Sequence, residues 1–358
     1  MKSFLKIFTL LIISIFFLVG CANQYYDSNK AHHTPNGFKN LHIEDNKKGG
    51  FFKFIKMKFF GDDIWANHEE LKDQIKVKDV DIKLINSATI KPRITWLGHS
   101  TFLVQHNKIN ILTDPIFSDR ASPFCFVGPK RYVKHPIDYN DLPKIDLVII
   151  SHNHYDHLDK NTIKRLVKNE DTKFYVPLGL KSIFIEYGTK AENIIEMDWN
   201  DEKILEIEDQ SLKIKALPSQ HWSARSLFDR FETLWASWFI EFSDFNFFFA
   251  GDTGYNDIQF KEIGEKLKSV DFALIPIGAY APRWFMKLYH VNPLEAVYIH
   301  QDIKAKKSIG MHWGTFSLTA EEPIEPTIKL EEALKQEDIP KDEFRTLDIG
   351  ESISLEID

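Results

Sequence analysis

The sequence is constrained most tightly at residues 151–159, where Ser-His-Asn-His-Tyr-Asp-His-Leu-Asp follows the run Asp-Leu-Val-Ile-Ile at 146–150. A short apolar run bounded by polar residues reads as a buried strand, and a loop leaving it can aim several side chains at one point. Imidazole nitrogens and carboxylate oxygens are the usual donors to zinc and related divalent ions. His152 and His154 stand two apart at the strand end, while Asp156 and His157 follow where the chain turns toward a helix starting near Asn161. The loop therefore offers ligands in two directions, which points to two metals. The chain has 14 histidines in 358 residues, so a His-x-His-x-Asp-His spacing would arise by accident on the order of once in a thousand such chains.

Further donors stand at the ends of other apolar runs: His221 after 214–219, Asp252 after 247–251 and His312 after 309–311. Alternation and β-branched content predict a hairpin over 94–97, 101–105 and 109–112. Further strands are expected at 146–150, 173–176, 203–208, 212–217, 234–242, 245–250, 271–277, 307–311 and 352–357. Helices are expected near 161–169, 179–187, 257–268, 292–303 and 327–337, most with a capping residue or proline at the start. Helices falling between groups of strands describe an α/β (α+β) chain of layered sheets covered by helices. A hydrophobic content of 43% supports a sizeable core, and residues 91–358 read as one domain.

The N-terminus has a different character. Lys2 and Lys6 precede an apolar run over 7–19 and then Gly20-Cys21-Ala22, the layout of a signal peptide over 1–20. That run falls short of the ~20 residues a spanning helix needs. Leu18-Val19-Gly20-Cys21 resembles the bacterial lipoprotein box, which implies cleavage before Cys21 and a lipid on its sulfur. The expected location is the bacterial cell envelope, with the protein anchored at the periplasmic face or in the outer membrane. Cys125 is the other cysteine, so a lipidated Cys21 leaves no intramolecular disulfide. Residues 21–50, rich in Asn, Lys, His and Gly, read as a flexible tether in which His32, His33 and His42 are solvated. Residues 51–90 form an N-terminal extension whose Phe- and Lys-rich run 51–60 suits membrane contact or packing onto the domain. A net charge of −7 without a basic block excludes a large nucleic-acid footprint.

At the proposed ligands the sequence resembles the metallo-β-lactamase superfamily, an αββα sandwich. Within it, several blocks resemble N-acyl-phosphatidylethanolamine-hydrolysing phospholipase D. They are Trp96-Leu97-Gly98-His99-Ser100-Thr101, Leu112-Thr113-Asp114-Pro115-Ile116-Phe117-Ser118, Gly128-Pro129-Lys130-Arg131, the stretch 151–159, Gln220-His221-Trp222, 248–255, 276–280 and His312-Trp313-Gly314-Thr315. The resemblance spans about residues 50 to 340. It implies that His152, His154 and His221 hold one zinc, that Asp156, His157 and His312 hold the other, and that Asp252 bridges them. Iron or manganese also occupies such sites. It places Asp114 behind the ligands, orienting a histidine, and His99 near the site in a structural role. A homodimer is a further implication.

Two zinc ions about 3.5 to 4 Å apart would supply hydroxide at neutral pH and screen the charge of a phosphodiester. The reaction implied is hydrolysis of an N-acyl-phosphatidylethanolamine or similar phospholipid to N-acylethanolamine and phosphatidic acid. Asp156 is expected to orient the nucleophile and His290 to serve the leaving oxygen. Arg225 is expected to clamp a phosphate oxygen, while Tyr280, Trp284 and Tyr289 line the lipid path; Tyr289 departs from the polar amide usual in the family. Two rivals share these residues. One is a lactonase or phosphodiesterase of the same fold with a soluble substrate, and the other is a lipid-binding envelope protein that keeps zinc for stability alone.

Overall fold

The computed structural model describes residues 22–44, 61, 64–207 and 209–356. The expected signal peptide, Cys21 and the Phe- and Lys-rich run 51–60 lie outside them. Two seven-stranded sheets make up most of the domain. After a short hairpin of β1 (His33–Thr34) and β2 (Gly37–Phe38), the first sheet is built from β3 (Arg93–Trp96), β4 (Phe102–His106), β5 (Ile109–Thr113), β6 (Leu147–Ile149), β7 (Lys173–Pro177) and β8 (Ile194–Met197). The second contains β9 (Glu202–Ile207), β10 (Gln210–Leu217), β11 (Ser237–Glu241), β12 (Asn246–Phe249), β13 (Val270–Pro276), β14 (Ala305–Met311) and β15 (Phe344–Arg345). β16 (Ser352–Ser354) returns to the first sheet and pairs with β3.

Each sheet is antiparallel on one side and parallel on the other: β3, β4 and β5 alternate in direction, while β5 to β8 run parallel. The second sheet repeats this plan, antiparallel from β9 to β12 and parallel from β12 to β15. The period-2 alternation of strand side chains then sorts residues between two cores. Phe102, Val104, Ile111, Leu147, Ile149 and Tyr175 face the second sheet. Leu103, Leu112, Val148, Phe174 and Val176 face outward, onto Ile163 and Leu166 of the helix Lys160–Leu166 and Phe184 of the helix Lys181–Glu186. On the far side, the helices Gln259–Leu267, Pro293–Asp302 and Glu325–Gln336 add Phe260, Ile263, Val297, Ile299 and Leu330 to the larger core. The result is the αββα sandwich.

Local chemistry sets several boundaries. Asn292 accepts from the amide of Glu295, whose carboxylate accepts from the amide of Asn292, a reciprocal cap that starts the helix Pro293–Asp302. Asp159 caps Lys160–Leu166 through the amide of Asn161. Two expected strands are shorter than read: β11 starts at Ser237 rather than 234, and β16 ends at Ser354. Before β11, the backbone of Leu234 bonds Leu178 and that of Ala236 bonds Ser151, so this stretch follows the first sheet rather than the β10 ladder. No helix of the described residues is long and apolar enough to cross a membrane.

Residues 22–44 are not a solvated tether. The β1–β2 hairpin lies on the domain, His32 and His33 are buried, and Phe38 joins the main core. The expectation failed because the carboxylate these histidines meet, Asp198, lies more than 160 residues downstream. His42 is half-buried.

Phe247 of β12 is fully buried in the larger core, and its neighbour on β13 across the parallel ladder is Phe272. Truncating it should cost about 3–5 kcal/mol. The expected outcome for Phe247→Ala is a lower urea midpoint with an unchanged slope, read by tryptophan fluorescence.

Candidate metal centre

The strands with downstream ligands all end on the same side. β5 ends at Thr113, before Asp114, and β6 at Ile149, before His152. β10, β12 and β14 precede His221, Asp252 and His312 in the same way. Carboxyl ends of strands are where open α/β sheets gather their ligands. Trp238 of β11 and Trp235 just before that strand tie this edge together, Trp238 Nε1 donating to the carbonyl of Ile150 at 2.9 Å and Trp235 Nε1 to that of Ser219 at 2.9 Å. Gly251 permits the close approach of the two sides. Its φ is +60°, and a Cβ there would lie 2.4 Å from Cβ of Ser151.

Hydrogen bonds made away from the centre fix which nitrogen His157, His152 and His221 turn inward. Asp114 accepts from the Ser151 amide at 2.7 Å, from the Ser151 hydroxyl and from His157 Nδ1 at 2.6 Å. His157 Nε2 is thereby left with its lone pair facing the centre. The Ser151 hydroxyl oxygen in turn lies 2.9 Å from His152 Nδ1. His221 Nδ1 donates to the carbonyl of Tyr289 at 2.9 Å. His152 and His221 therefore also present Nε2, the tautomer locking usual behind metal-binding histidines.

Two groups of inward atoms result. In the first, His154 Nδ1 lies 2.7 Å from His152 Nε2 and 3.2 Å from His221 Nε2. In the second, His157 Nε2 and His312 Nε2 are 3.2 Å apart, and Asp156 Oδ2 lies 3.3 and 3.4 Å from them. Asp252 Oδ2 stands between the groups, 3.1 Å from His157 Nε2, 3.2 Å from His312 Nε2 and 3.8 Å from His221 Nε2. Asp252 Oδ1, His154 Nε2 and His312 Nδ1 are buried without a hydrogen-bond partner.

Lone pairs converging at such distances repel unless a cation lies among them, and unpaired buried carboxylates are expensive. The donor set therefore fits divalent ions. Burial keeps the first group neutral: it holds His152 and His221 well below the usual histidine range and brings His154 down to about 3. In the second group burial works in the same direction, but the carboxylates of Asp252, Asp156 and Asp114 overcome it and hold His157 well above that range. A cation in place of the proton answers the same field.

Three residues around the centre have left-handed backbone: His99 at φ 53°, Asp114 at 32° and His312 at 63°. Non-glycine residues there are held at a cost of about 1–3 kcal/mol each. The His312 amide donates to the carbonyl of His99 at 3.2 Å, and the His99 amide to the Thr315 hydroxyl at 2.8 Å. His99 Nε2 reaches Asp156 Oδ2 at 2.9 Å, so His99 lies directly beside the second ligand group. His290 is at the rim, its Nδ1 3.9 Å from Asp252 Oδ2, and burial pulls it down to about 4. Arg283 donates to the carbonyl of His290 at 2.6 Å and pairs with Glu295, which fixes that rim.

Residues expected along the substrate path are arranged differently. Arg225 is not a phosphate clamp. Its Nη1 donates to the carbonyls of Asn153 and Leu158 at 2.8 Å each, its Nη2 lies 3.0 Å from the Tyr187 hydroxyl, and its guanidinium stacks 3.9 Å from the Tyr155 ring centre. It braces the histidine loop, because carbonyls released by an irregular loop need donors. The Tyr280 hydroxyl is bound to Glu325 at 2.7 Å. Tyr289 serves His221 through its carbonyl, while its ring lies 5.6 Å from the Arg230 guanidinium. Trp284 is 67% exposed on the helix Arg283–Met286. Glu321, which had no sequence signal, is buried and accepts from the amides of Ala279, Tyr280 and Ala281, fixing the loop beside His312.

Residues 109–313 match the family described as Beta-lactamase superfamily domain. The chain is 41% identical over 298 residues to N-acyl-phosphatidylethanolamine-hydrolyzing phospholipase D 1 of Caenorhabditis elegans, covering 80% of this chain and 84% of that protein. It is 38% identical over 239 residues to the mitochondrial N-acyl-phosphatidylethanolamine-hydrolyzing phospholipase D of Saccharomyces cerevisiae, covering 66% and 50%. A metallo hydrolase from the archaeon Ignicoccus hospitalis is similar in structure, with a TM-score of 0.55 at 22% identity over 75% of this chain and all of that one.

Asp114→Asn keeps the shape but replaces one acceptor oxygen by a donor opposite His157 or Ser151. Metal affinity should fall about 10- to 100-fold, measured by competition with a chromogenic chelator. Affinity equal to the parent protein would refute the role given to Asp114.

Proposed function

Because this chain belongs to the metallo-β-lactamase superfamily, in the family of N-acyl-phosphatidylethanolamine-hydrolysing phospholipases D, and is a metal-dependent hydrolase, we propose that it hydrolyses N-acyl-phosphatidylethanolamine or a closely similar phospholipid with two zinc ions. The observation carrying this reading is Asp252 Oδ2, set between two groups of inward-facing imidazoles. The substrate class is supported by kinship with the nematode phospholipase over most of both chains.

His152, His154 and His221 would hold one ion, Asp156, His157 and His312 the other, with Asp252 shared and His99 beside the second group. Bound there, two divalent ions would lower the pKa of a water and screen the phosphate charge. Water supplies an oxygen to phosphorus, the bond from phosphorus to the N-acylethanolamine oxygen breaks, and that oxygen leaves with a proton. Asp156 Oδ2, steadied by His99 at 2.9 Å, is placed to orient the water. His290, unprotonated at neutral pH, offers an imidazole at the rim that can accept a proton and return it to the leaving oxygen. The exposed Trp284 and the neighbouring Lys287 give the rim an aromatic and basic edge suited to an anionic headgroup.

The Lys2 and Lys6 leader followed by Leu18-Val19-Gly20-Cys21 supports anchoring through a lipid on Cys21, with the enzyme held where its substrate lies. Replacing Cys21 by Ser should move the protein from the membrane to the soluble fraction of the producing cell. Persistence of the variant in the membrane would refute the anchor.

Metal-loaded protein should release N-acylethanolamine and phosphatidic acid from detergent-dispersed N-acyl-phosphatidylethanolamine. A chelator should abolish release and zinc restore it, while Asp252→Asn should lower turnover by at least about 100-fold, a loss of about 2.7 kcal/mol or more of transition-state stabilisation. Intact lipid alongside turnover of a soluble lactone would assign the centre to a different substrate.

A further inference from the structure

The N-terminal segment makes a chain of specific contacts that ends at a metal-site histidine. The Tyr25 hydroxyl lies 3.1 and 2.9 Å from the two carboxylate oxygens of Glu196. Lys30, His32 and His33 then converge on Asp198, with His32 Nε2 2.7 Å from Oδ1 and His33 Nε2 2.9 Å from Oδ2. His32 also stacks on Trp199 with ring centres 4.5 Å apart.

This cluster has the composition of a metal site but the proton arrangement of a clamp. The Asp27 amide donates to His33 Nδ1 at 3.2 Å, so Nε2 carries the hydrogen and donates to Asp198. The Lys30 ammonium takes a further place on the same carboxylate, where a cation would otherwise bind.

Beyond the clamp the strap meets the loop that follows His221. The Phe38 amide donates to the carbonyl of Phe231 at 2.8 Å, and Phe38 itself is buried. Gly37 makes this contact possible: its φ is +132°, and a Cβ there would lie 2.1 Å from the Phe231 carbonyl oxygen. Two residues past Phe38, the Asn40 side chain pairs with the backbone of His221 in both directions. Its Nδ2 donates to the His221 carbonyl at 2.8 Å, and its Oδ1 accepts from the His221 amide at 3.1 Å. Asn40 is buried.

We propose that residues 25–40 are a working part of the metal centre, in which Asn40 is the positioning residue that fixes His221 through its peptide group. His221 has three outer bonds: Asn40 holds both polar atoms of its backbone, and the Tyr289 carbonyl sets its ring. With the backbone anchored, the ring bond defines where Nε2 points. Without Asn40, a buried amide and carbonyl lose their partners and the loop shifts to recover them, carrying Nε2 away from His152 and His154. The inference rests on the metal-binding part of the proposed function and is independent of the substrate.

The test uses the full chain carrying Asn40→Ala or Asp198→Asn, with melting temperature and far-UV circular dichroism recorded for each. Metal retention is read by competition with a chromogenic chelator, and the ligand field by the visible absorption of the cobalt-substituted protein. Asn40→Ala should release metal to the chelator about 10-fold more readily and alter the cobalt spectrum. Asp198→Asn, which leaves Asn40 in place but loosens the strap, should move both readouts in the same direction by less. A folded Asn40→Ala variant with parental chelator competition and cobalt spectrum overturns the proposal, even if its melting temperature falls. If Asn40→Ala does not fold, Asp198→Asn decides by the same criterion. Failure of the parent protein itself to retain metal would overturn the metal reading and this inference with it, a result distinct from a difference confined to the variants.

Discussion

The carboxylate of Asp114 is the contact on which the rest of the centre depends. It is wholly inaccessible, and it meets the Ser151 amide, the Ser151 hydroxyl and His157 Nδ1. Through Ser151 it reaches His152, so one buried acceptor sets the orientation of a histidine in each ligand group. A carboxylate with no water must be filled by donors, and here the donors are the ligand loop itself. The buried Asp252 and the partly buried Asp156 add two more carboxylates a few ångströms away, both held well below the usual carboxylate range by His157, against the opposing effect of burial. A neighbourhood with this much negative charge and converging imidazole lone pairs is arranged for a cation.

Two different kinds of information made the site readable or hid it. The candidate ligands were legible because they are chemically distinctive side chains in loops that follow apolar strands, and the fold lines up the carboxyl ends of those strands. The same alternation that predicted the strands explains the two cores, with Leu103 and Val104 parting to opposite faces. What the residue pattern missed, or in the case of Arg225 gave a different role, acts on backbone. Arg225 binds two loop carbonyls, Glu321 three amides and Asn40 one peptide group. Such partners leave no residue pattern, since any side chain may stand at the bonded position. The Asp198 clamp was hidden by distance along the chain, and its histidines, lacking an apolar period around them, looked like those of a linker.

The two sheets share a plan, antiparallel strands on one side and parallel strands on the other, and each contributes ligands from one edge. His152, His154, Asp156 and His157 come from the first sheet, while His221, Asp252 and His312 come from the second. The indoles of Trp235 and Trp238 close the same edge with hydrogen bonds that bury fully in the core. Packing between the sheets therefore sets the separation of the ligand groups, and a change in the aromatic core near Trp238 is transmitted directly to the carbonyl preceding the histidine loop.

The split of ligands between sheets has a thermodynamic consequence. An ion held by both halves acts as a cross-link that exists only in the folded chain, so its binding free energy adds to the stability of the sandwich. By mass action that addition grows with free metal, by about 2.7 kcal/mol at a hundred times the dissociation constant. Metal supply would then govern how much folded protein survives as well as how much is active. Protein made under metal starvation would be lost first by opening along the edge where the sheets share their ligands.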